Sequence, residues 1–487
     1  MSSAGAPVVD RPLVARFADL LRSADYSAPG IQHALGTEGE LLAARRDLPV
    51  QLRRLETVSE PLATLVRLLI LEVTLDGAEV DQALAPLGMQ PLLDLGVLEE
   101  DRSDVRGAIR IIPHDQLLVA SDRARPETGA NHVAGVHRPS ASLAHLTIRR
   151  PVERALDVGT GNGVQALLLS EHAKHVVATD VNERALEFAA FNAALNGTEN
   201  VEFRHGSFFE PVAGERFGLV VSNPPYVITP DREFLFRDGG LEGDEVSERV
   251  TKELPATMDE GAYATMTASW IQSGDDPVAR PRGWLEGSDC DVWIIHTSTD
   301  DPLTTAAAWN RDFPVEKLDE RLERWLAYYG ERRIDAVSYG AFVLRRRMNG
   351  DNWIRSCAVP RSGINRAGPH LERLFAAQDL LQTKGDDLLA ERFRLHDDVR
   401  LEHSARPTDD GWSLAGAELV LTDGLPFRAG LDEATSAIVR RLSPTGPLGA
   451  ILADAAAELG IDAGRFQPAG VEFVKQLLEL GYVVPES

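Results

Sequence analysis

Apolar residues recur every three or four positions near the start of the chain, over Pro12–Arg22 and again over Glu60–Leu75, which predicts two helices. Further along, the pattern changes to two short helices, a turn at Gly96 and an alternation over 97–120 that is typical of paired strands. We therefore predict a mostly helical, winged-helix-like domain over residues 1–125. Such domains bind DNA or act as lids and partner-binding modules, and this one has no densely basic helix, which favours the second use.

Short apolar runs alternate with helical patterns between residues 126 and 347, which indicates repeated βα units on a mainly parallel sheet. The predicted strands are Arg154–Val158, His175–Asp180, Val201–His205, Gly218–Ser222, Ala262–Ala268, Asp291–His296 and Val337–Arg345. The predicted helices include Gly163–His172, Glu183–Leu195 and Val246–Met258. The expected fold class is α/β, a Rossmann-like, doubly wound sheet of seven strands that ends in an antiparallel hairpin.

A third pattern covers residues 348–487, which we predict to form a C-terminal domain. It begins irregularly and then predicts a helix, two strands, three helices and a last strand: Leu371–Phe393, Val399–Ser404, Trp412–Leu421, Leu431–Leu442, Pro447–Leu459, Pro468–Leu480 and Tyr482–Val484. The last three helices and strand suggest a winged-helix-like module. From residue 431 onward this module carries eight acidic and four basic residues, which argues against contact with a DNA groove.

Acidic residues outnumber basic ones in the whole chain, 75 Asp and Glu against 50 Lys and Arg, and the formal net charge is −25. This balance opposes nonspecific binding to a phosphate backbone, which needs several Lys or Arg contacts. A local basic patch occurs at Arg345–Arg347, followed by Arg355, Arg361 and Arg366. A nucleic-acid contact and a solvated strand end explain this patch equally well.

Neither membrane insertion nor export is predicted. The most apolar run, Leu65–Leu75, is interrupted by Arg67 and Glu72, and the first residues lack an apolar signal segment. We therefore expect a cytoplasmic protein. Cys290 and Cys357 are too few for a disulfide framework or a zinc cluster, and no histidine pair has ligand spacing, so no metal site is predicted.

A glycine-rich turn follows the first predicted strand of the central region and leads into a helix, which is the context that a nucleotide-binding loop requires. Glycine permits a sharp turn with positive φ and leaves no Cβ where a ligand approaches closely. A dinucleotide-binding loop would have its third glycine at position 164, which is Val164, so the spacing favours a nucleoside without a pyrophosphate. The candidate residues of this loop are Asp157, Gly159, Thr160, Gly161 and Gly163.

An acidic residue, Asp180, ends the second strand 17 positions after Gly163, where a carboxylate can accept hydrogen bonds from both ribose hydroxyls. The loop and this acid resemble the motifs of class I S-adenosylmethionine-dependent methyltransferases. In that family an acid at the tip of the third strand often binds the adenine amino group. Here Ser207 and Phe208 occupy this place, so the resemblance implies an uncharged acceptor at Ser207 and a ring beside the base at Phe208.

The fourth strand ends in Asn223-Pro224-Pro225-Tyr226, at the sheet edge where ligands collect. This tetrapeptide resembles the Asn-Pro-Pro-Tyr signature of amino-methyltransferases that act on adenine, guanine or glutamine side chains. A planar nitrogen of this kind delocalises its lone pair and is a poor nucleophile. The resemblance implies that the Asn223 side-chain oxygen and the Pro224 carbonyl accept its two N–H groups, that Pro225 helps to fix the turn, that Tyr226 stacks on the planar group, and that Asn223 also borders the cofactor.

Further resemblance to the release-factor glutamine methyltransferases appears in the glycine-rich segment Arg237–Gly243. Those enzymes also carry an Arg-Pro-Glu-Thr element before the first strand. Arg125–Thr128 matches these letters 32 residues before Asp157, whereas Arg138–Ser140 lies 19 residues before it, and the spacing favours the second segment. There Ser140 either caps a helix or contacts the cofactor.

Together these motifs predict an enzyme that uses S-adenosyl-L-methionine to methylate a planar amide or amino nitrogen. The expected partner is a macromolecular acceptor, either protein glutamine or a nucleobase of RNA or DNA. A small-molecule or natural-product methyltransferase is the alternative, since the acidic surface and two flanking domains are compatible with a closed pocket. A non-catalytic scaffold is a third hypothesis. The residues leave open which acceptor is used and the oligomeric state.

Overall fold

The computed structural model describes residues 5–36, 47–123, 129–311, 313–348, 350–385, 387–409, 411–442 and 446–486. The chain forms two compact units. The first consists of residues 1–144 and 150–357, and the second of residues 145–149 and 358–487. The division into three domains at residues 125 and 347 stays a prediction.

The N-terminal part of the first unit is mostly helical and has its own apolar core. Its helices are α1 (Arg11–Ser23), α2 (Ala28–Leu35), α3 (Leu48–Leu55), α4 (Glu60–Leu69), α5 (Gly77–Ala83) and α6 (Gln90–Asp94), and its strands are β1 (Leu75–Asp76), β2 (Leu98–Asp101), β3 (Asp104–Gly107), β4 (Arg110–His114) and β5 (Leu117–Ser121). Strands β1, β3 and β2 pair in that order, which together with α4 to α6 gives the element order of a winged helix. Among the described helices of the chain, none is both long and apolar enough to cross a membrane.

The rest of the first unit is built on one large sheet. Its elements are α7 (Arg138–Leu146, which runs into the second unit), β6 (Val152–Val158), α8 (Val164–Ser170), β7 (Ala173–Asp180), α9 (Glu183–Leu195), β8 (Val201–His205), β9 (Phe217–Ser222), α10 (Leu235–Asp238), α11 (Glu245–Glu253), β10 (Met258–Gln272), α12 (Ala279–Leu285), β11 (Cys290–Asp300), α13 (Pro302–Asn310), α14 (Val315–Arg332), β12 (Ala336–Arg346) and β13 (Ile354–Ala358). The strand order is β13-β11-β12-β10-β9-β6-β7-β8.

Strands β6 to β10 are parallel, and β12 lies antiparallel between β10 and β11, so the Rossmann-like α/β class and the antiparallel final hairpin are confirmed. The expected number of seven strands is wrong, because β13 adds an eighth at the sheet edge among the described residues. This short strand follows a polar Asn-Gly-Asp-Asn stretch, which reads as irregular in sequence. The order reverses between β6 and β9, and ligands bind at such a switch point.

Strand β10 is longer than predicted and continues past the end of its parallel neighbour. Met266 pairs with Ser222, the last residue of β9, and Thr267–Gln272 continue beyond it while pairing with β12. The side chains of Thr267 and Ser269 point to the same face, because they are two residues apart on a strand. They therefore run alongside the segment that follows β9.

Asn192, in α9, and Asn196, directly after α9, join the N-terminal part to the part built on the large sheet. The Asn192 carboxamide accepts the Ala120 N–H at 2.7 Å and donates to the Ala120 carbonyl at 3.0 Å, which copies strand pairing at the β5 edge. Asn196 makes the same pair of bonds with Leu118, at 2.9 and 2.8 Å. These contacts satisfy an edge strand without another strand.

The second unit contains α15 (Gly368–Lys384), β14 (Phe393–Leu395), β15 (Val399–Thr408), β16 (Gly411–Leu421), β17 (Arg428–Leu431), α16 (Glu433–Val439), α17 (Leu448–Leu459), α18 (Ala463–Glu479) and β18 (Val483–Pro485). The last strand pairs with β14, and β15, β16 and β17 form a separate sheet. Three predicted helices of this unit have wrong bounds. Helix α15 ends at Lys384, before Gly385, and α16 begins at Glu433, because Leu431 lies in β17. Helix α18 begins before Pro468, because Asp462 accepts a hydrogen bond from the Arg465 N–H and caps an earlier start.

Candidate active site

A cavity of about 290 Å³ lies at the carboxyl ends of β6, β7 and β9. This volume is near the lower end of the range for small-molecule sites, roughly 300–1,000 Å³. The structure brings together ten predicted site residues in its lining: Asp157, Gly159, Thr160, Gly161, Asp180, Ser207, Phe208, Asn223, Pro224 and Pro225. Gly163 and Tyr226 do not line it.

The three glycines of the loop after β6 all have positive φ but different surroundings. A Cβ on Gly159 (φ 73°) or Gly161 (φ 56°) would meet no atom within 4 Å, so both positions face open space in the cavity. A Cβ on Gly163 (φ 85°) would lie 2.9 Å from the Ala189 Cβ. Gly163 therefore permits close packing of the α8 start against α9, whereas the other two leave room for a ligand.

The Asp157 carboxylate holds the ends of this loop together. Its Oδ2 accepts the Thr160 hydroxyl at 2.6 Å and the Ala166 N–H at 3.0 Å. Burial raises the pKa of Asp157 to about 7, while the bond from Thr160 opposes this rise. Asp157 thus shapes the loop from inside.

Asp180 lies at the end of β7 with its carboxylate beside the loop. It accepts the Gly161 N–H at 2.8 Å and the Asn182 N–H at 2.9 Å. Burial raises the pKa of Asp180, and these two N–H groups act in the opposite direction by stabilising the charged form. Since Asp180 lines the cavity, its carboxylate has acceptor capacity for ligand hydroxyl groups.

Ser207 and Phe208 follow β8 and border the same cavity. Phe208 has a positive φ of 46°, and the Arg249 guanidinium lies 4.6 Å from its ring centre. The contact fixes the ring from one side. The serine hydroxyl is the polar group at the place where relatives of the predicted family often carry an acid.

The Asn223 carboxamide is held by hydrogen bonds at both ends. The Thr267 hydroxyl donates to its Oδ1 at 2.6 Å, and its Nδ2 donates to the Ser140 Oγ at 3.4 Å. The Ser269 hydroxyl, next on the same face of β10, donates to the Tyr226 carbonyl. The long strand β10 thus fixes both the first and the last residue of the tetrapeptide.

The Tyr226 side chain packs away from the cavity lining. It is 8% exposed and belongs to an apolar cluster with Val227, Ile228, Trp325 and Tyr329. Stacking of Tyr226 on an acceptor stays a prediction.

Several lining residues were not singled out from the sequence. His132 and His137 precede α7, and Leu235 and Phe236 follow the tetrapeptide. Burial lowers the pKa of His137, and its Nδ1 lies 3.0 Å from the Ser140 Oγ. The sequence feature that pointed to the segment around His137 was the position of Arg138–Ser140, 19 residues before Asp157.

The element Arg138–Ser140 contributes its serine to the cavity, and the Gln165 side chain donates to the Ser140 carbonyl at 2.7 Å. The competing segment, Arg125–Thr128, lies outside the described residues. Ser140 therefore connects α7, α8 and Asn223 within the site.

The basic patch at Arg345–Arg347 takes part in the packing of the sheet. Arg345 and Arg347 pair with the buried Asp291 at 2.6 and 3.4 Å, and Arg346 donates to the Pro255 carbonyl at 2.5 Å. Cys290 and Cys357 are free thiols, and the described residues contain no group of three or more His, Cys, Asp or Glu that could hold a metal ion.

Comparison with known proteins finds a match to the methyltransferase small domain over residues 138–234. Two families described as domains of unknown function (DUF7059 and DUF7782) match residues 23–108 and 372–485. The chain is 35% identical over 134 residues to a release factor glutamine methyltransferase of Xylella fastidiosa, covering 27% of this chain and 45% of that protein.

Two further relatives extend the match. The chain is 33% identical over 188 residues to a ribosomal protein uL3 glutamine methyltransferase of Bradyrhizobium diazoefficiens, covering 35% of this chain and 58% of that protein. It is 30% identical over 202 residues to a release factor glutamine methyltransferase of Agrobacterium fabrum, covering 39% and 66%. The chain thus spans about half the length of the curated relatives it matches.

Proposed function

We propose that the chain is a class I S-adenosylmethionine-dependent methyltransferase that methylates the side-chain amide nitrogen of glutamine in a protein, as its similarity to the methyltransferase small domain and to glutamine methyltransferases supports. The observation that carries this proposal is the Asn223 carboxamide, fixed by Thr267 in the same cavity as the glycine loop and Asp180. The relatives named above, which act on release factors or a ribosomal protein, support a protein acceptor.

The cavity fits the cofactor of this family. Gly159 and Gly161 leave space that a Cβ would fill, and Asp180 offers a carboxylate to ribose hydroxyls. Ser207 and Phe208 would border the adenine. S-adenosylmethionine, when bound, supplies a methyl group on a positively charged sulfur.

Asn223 and Pro224 would act on the acceptor nitrogen. The Asn223 Oδ1 has two lone pairs, of which the Thr267 hydroxyl uses one, so a second acceptor position remains. The Pro224 carbonyl would take the other N–H of the acceptor amide. With both N–H groups held, the lone pair of the nitrogen is oriented and loses part of its delocalisation, and orientation of this kind lowers the barrier.

Charge favours a protein acceptor over a nucleic acid. The described lining of the cavity contains neither Lys nor Arg, and the whole chain carries a formal net charge of −25. Nucleic-acid acceptors need cationic contacts to their phosphates. A polypeptide amide needs none.

The test is methyl transfer by the full chain from labelled S-adenosylmethionine to three separate acceptors: a purified release factor, ribosomal protein uL3, and protein-free ribosomal RNA. We expect label in a protein and a mass increase of one CH₂ on a glutamine. Label in RNA alone, or in neither class, would contradict the proposal.

The variant Asn223→Ala should lower kcat by about 10²–10³-fold, because it removes a group aimed at the reacting nitrogen. Binding of S-adenosylhomocysteine, measured by calorimetry, should change little. Full activity of Asn223→Ala would show that the acceptor is held in another way.

A further inference from the structure

The connection between β11 and β12 is much longer than a hairpin needs. These strands are antiparallel neighbours, and such neighbours can be joined by 2–5 residues, as an order of magnitude. Here the connection runs from 301 to 335 and contains α13 and α14. Its helix α14 packs on the chain that follows the tetrapeptide.

The first contact of α14 is centred on Asp231, which is 6% exposed. Its carboxylate accepts a hydrogen bond from the Arg321 guanidinium at 2.7 Å and one from the Trp325 indole N–H at 3.0 Å. It also pairs with Arg324. Arg321 reaches on to Glu233 at 2.9 Å. Removing one partner from a buried cluster of this kind would leave an uncompensated charge, so the cluster ties Asp231 to α14.

The second set of contacts lies on both sides of residues 234–241. The Tyr329 hydroxyl donates to the Ile228 carbonyl at 2.8 Å, and the Gly243 N–H donates to the Tyr328 hydroxyl at 3.0 Å. Arg332 pairs with Glu242 at 2.9 Å. Helix α14 thus holds the chain before and after residues 234–241, which we call the acceptor-side segment.

The acceptor-side segment contributes Leu235, Phe236 and Gly239 to the cavity that contains Asn223. Leu235 and Phe236 are adjacent in the chain and are 43% and 39% exposed, so both present apolar surface at the cavity. The Phe236 ring lies 5.7 Å from that of His132, also a lining residue. This side of the cavity is apolar and aromatic and carries no cation in its described lining.

We propose that Leu235 and Phe236 are specificity-determining residues that contact apolar side chains flanking the acceptor glutamine, and that α14, through Asp231, is the positioning element that holds them. The inference rests on the proposed function, because it takes the acceptor to be a protein. The described lining on this side offers neither Lys nor Arg to the phosphates of a ribonucleotide acceptor.

The positioning part is tested by hydrogen exchange on the full chain. Asp231→Asn places an amide NH₂ among the Arg321 and Trp325 donors, so exchange in residues 228–243 should rise about tenfold while S-adenosylhomocysteine binding stays unchanged. Asp319→Asn, the same change at an exposed site of α14, is the control and should leave exchange unchanged. If Asp231→Asn does not fold, Arg324→Gln removes one partner from the partly exposed side. Unchanged exchange in the folded variant overturns the positioning role.

The specificity part is tested with Phe236→Ser and the protein acceptor that the wild type methylates. We expect KM for that acceptor to rise about tenfold, with the KM for S-adenosylmethionine unchanged. Leu303→Ser, at a 54% exposed apolar site of α13, is the control for a loss of surface apolar area. An unchanged acceptor KM in Phe236→Ser overturns the specificity role. If the wild type methylates only RNA or nothing, the proposed function fails together with the specificity role, while the exchange experiment still decides the positioning role.

Discussion

Thr267 determines how the Asn223 amide is oriented at the candidate site. A carboxamide has an accepting oxygen and a donating nitrogen of nearly the same size, so its direction depends on its neighbours. Here the Thr267 hydroxyl donates to Oδ1 and Ser140 lies on the nitrogen side. In the proposed function, this orientation directs the Asn223 oxygen to the acceptor N–H.

Thr267→Val tests this assignment, because valine keeps the shape of threonine and loses the hydroxyl. One hydrogen bond is worth about 0.5–1.5 kcal/mol, so we expect kcat to fall by up to about tenfold with cofactor binding unchanged. Thr267→Ser, which keeps the donor, should stay close to the wild type. Equal rates in Thr267→Val and the wild type would mean that Asn223 is oriented by Ser140 alone.

Asp180 is the charged group of the cavity best placed for ligand hydroxyls. Asp180→Asn removes the charge and places an NH₂ near the Gly161 N–H, which now donates to Oδ2. A hydrogen bond to a charged group is worth about 1.5–3 kcal/mol, so S-adenosylhomocysteine should bind about 10–100-fold more weakly by calorimetry. Asp259→Asn, on the exposed surface, should bind normally. Unchanged affinity in Asp180→Asn would remove this residue from the cofactor site.

At the scale of elements, the parallel strands were predictable because they are buried on both faces. Runs such as Leu219–Val221 in β9 are continuously apolar and stop at a polar residue, which marks both the strand and the segment that follows it. The long β10 was only partly predictable. Its extension past Ser222 depends on pairing with β12, which is a tertiary contact and leaves no local pattern.

The acceptor side of the site was hidden for the same reason. Phe236 carries no motif, and the proposed positioning role of α14 depends on its contacts with residues about ninety positions earlier in the chain. His132 and His137 also lack ligand spacing. Sequence patterns reveal residues whose roles depend on neighbours along the chain. The residues named here depend instead on neighbours that are distant in sequence and close in space.

His370 provides a pH-dependent contact inside the second unit. Its Nδ1 accepts the Leu425 N–H at 3.0 Å, so the ring proton lies on Nε2, 2.9 Å from the Leu480 carbonyl. A second proton would face the Leu425 N–H. Burial lowers the pKa of His370 to about 4.

The folded pKa of His370 lies below its ordinary value, so the unfolded chain takes up a proton first as the pH falls. The contribution of the neutral His370 ring to the free energy of unfolding is fully present above about pH 6.5 and is lost as the pH falls towards about 4. At pH 5 the loss is about 2 kcal/mol.

The variant His370→Gln tests this contribution, because glutamine keeps a donor and an acceptor and does not titrate. In urea unfolding of the full chain, His370→Gln should lose about 2 kcal/mol less stability than the wild type when the pH is lowered from about 7.5 to about 5. His403→Gln, on exposed β15, should behave as the wild type; an equal pH dependence in all three proteins would contradict the role of His370.

At the scale of the whole molecule, the two units are not consecutive pieces of sequence. Residues 145–149 belong to the second unit although the chain on both sides belongs to the first. Leu146 and Ile148 in this stretch are each 1% exposed. Sequence patterns predict consecutive domains, because a five-residue stretch is too short to show a periodicity of its own.

Gly368, at the start of α15, lets this short stretch pack within the second unit. A Cβ at Gly368 would lie 2.2 Å from the Thr147 carbonyl oxygen, a contact that requires a backbone shift. Gly368→Ala should therefore lower the free energy of unfolding by about 1–3 kcal/mol, measured by urea unfolding of the full chain. Gly430→Ala is the matched control in the same unit, because a Cβ there meets no atom within 4 Å. If both variants are equally stable, residues 145–149 move freely enough to accommodate the methyl group, and the close contact with Gly368 does not hold the stretch in place.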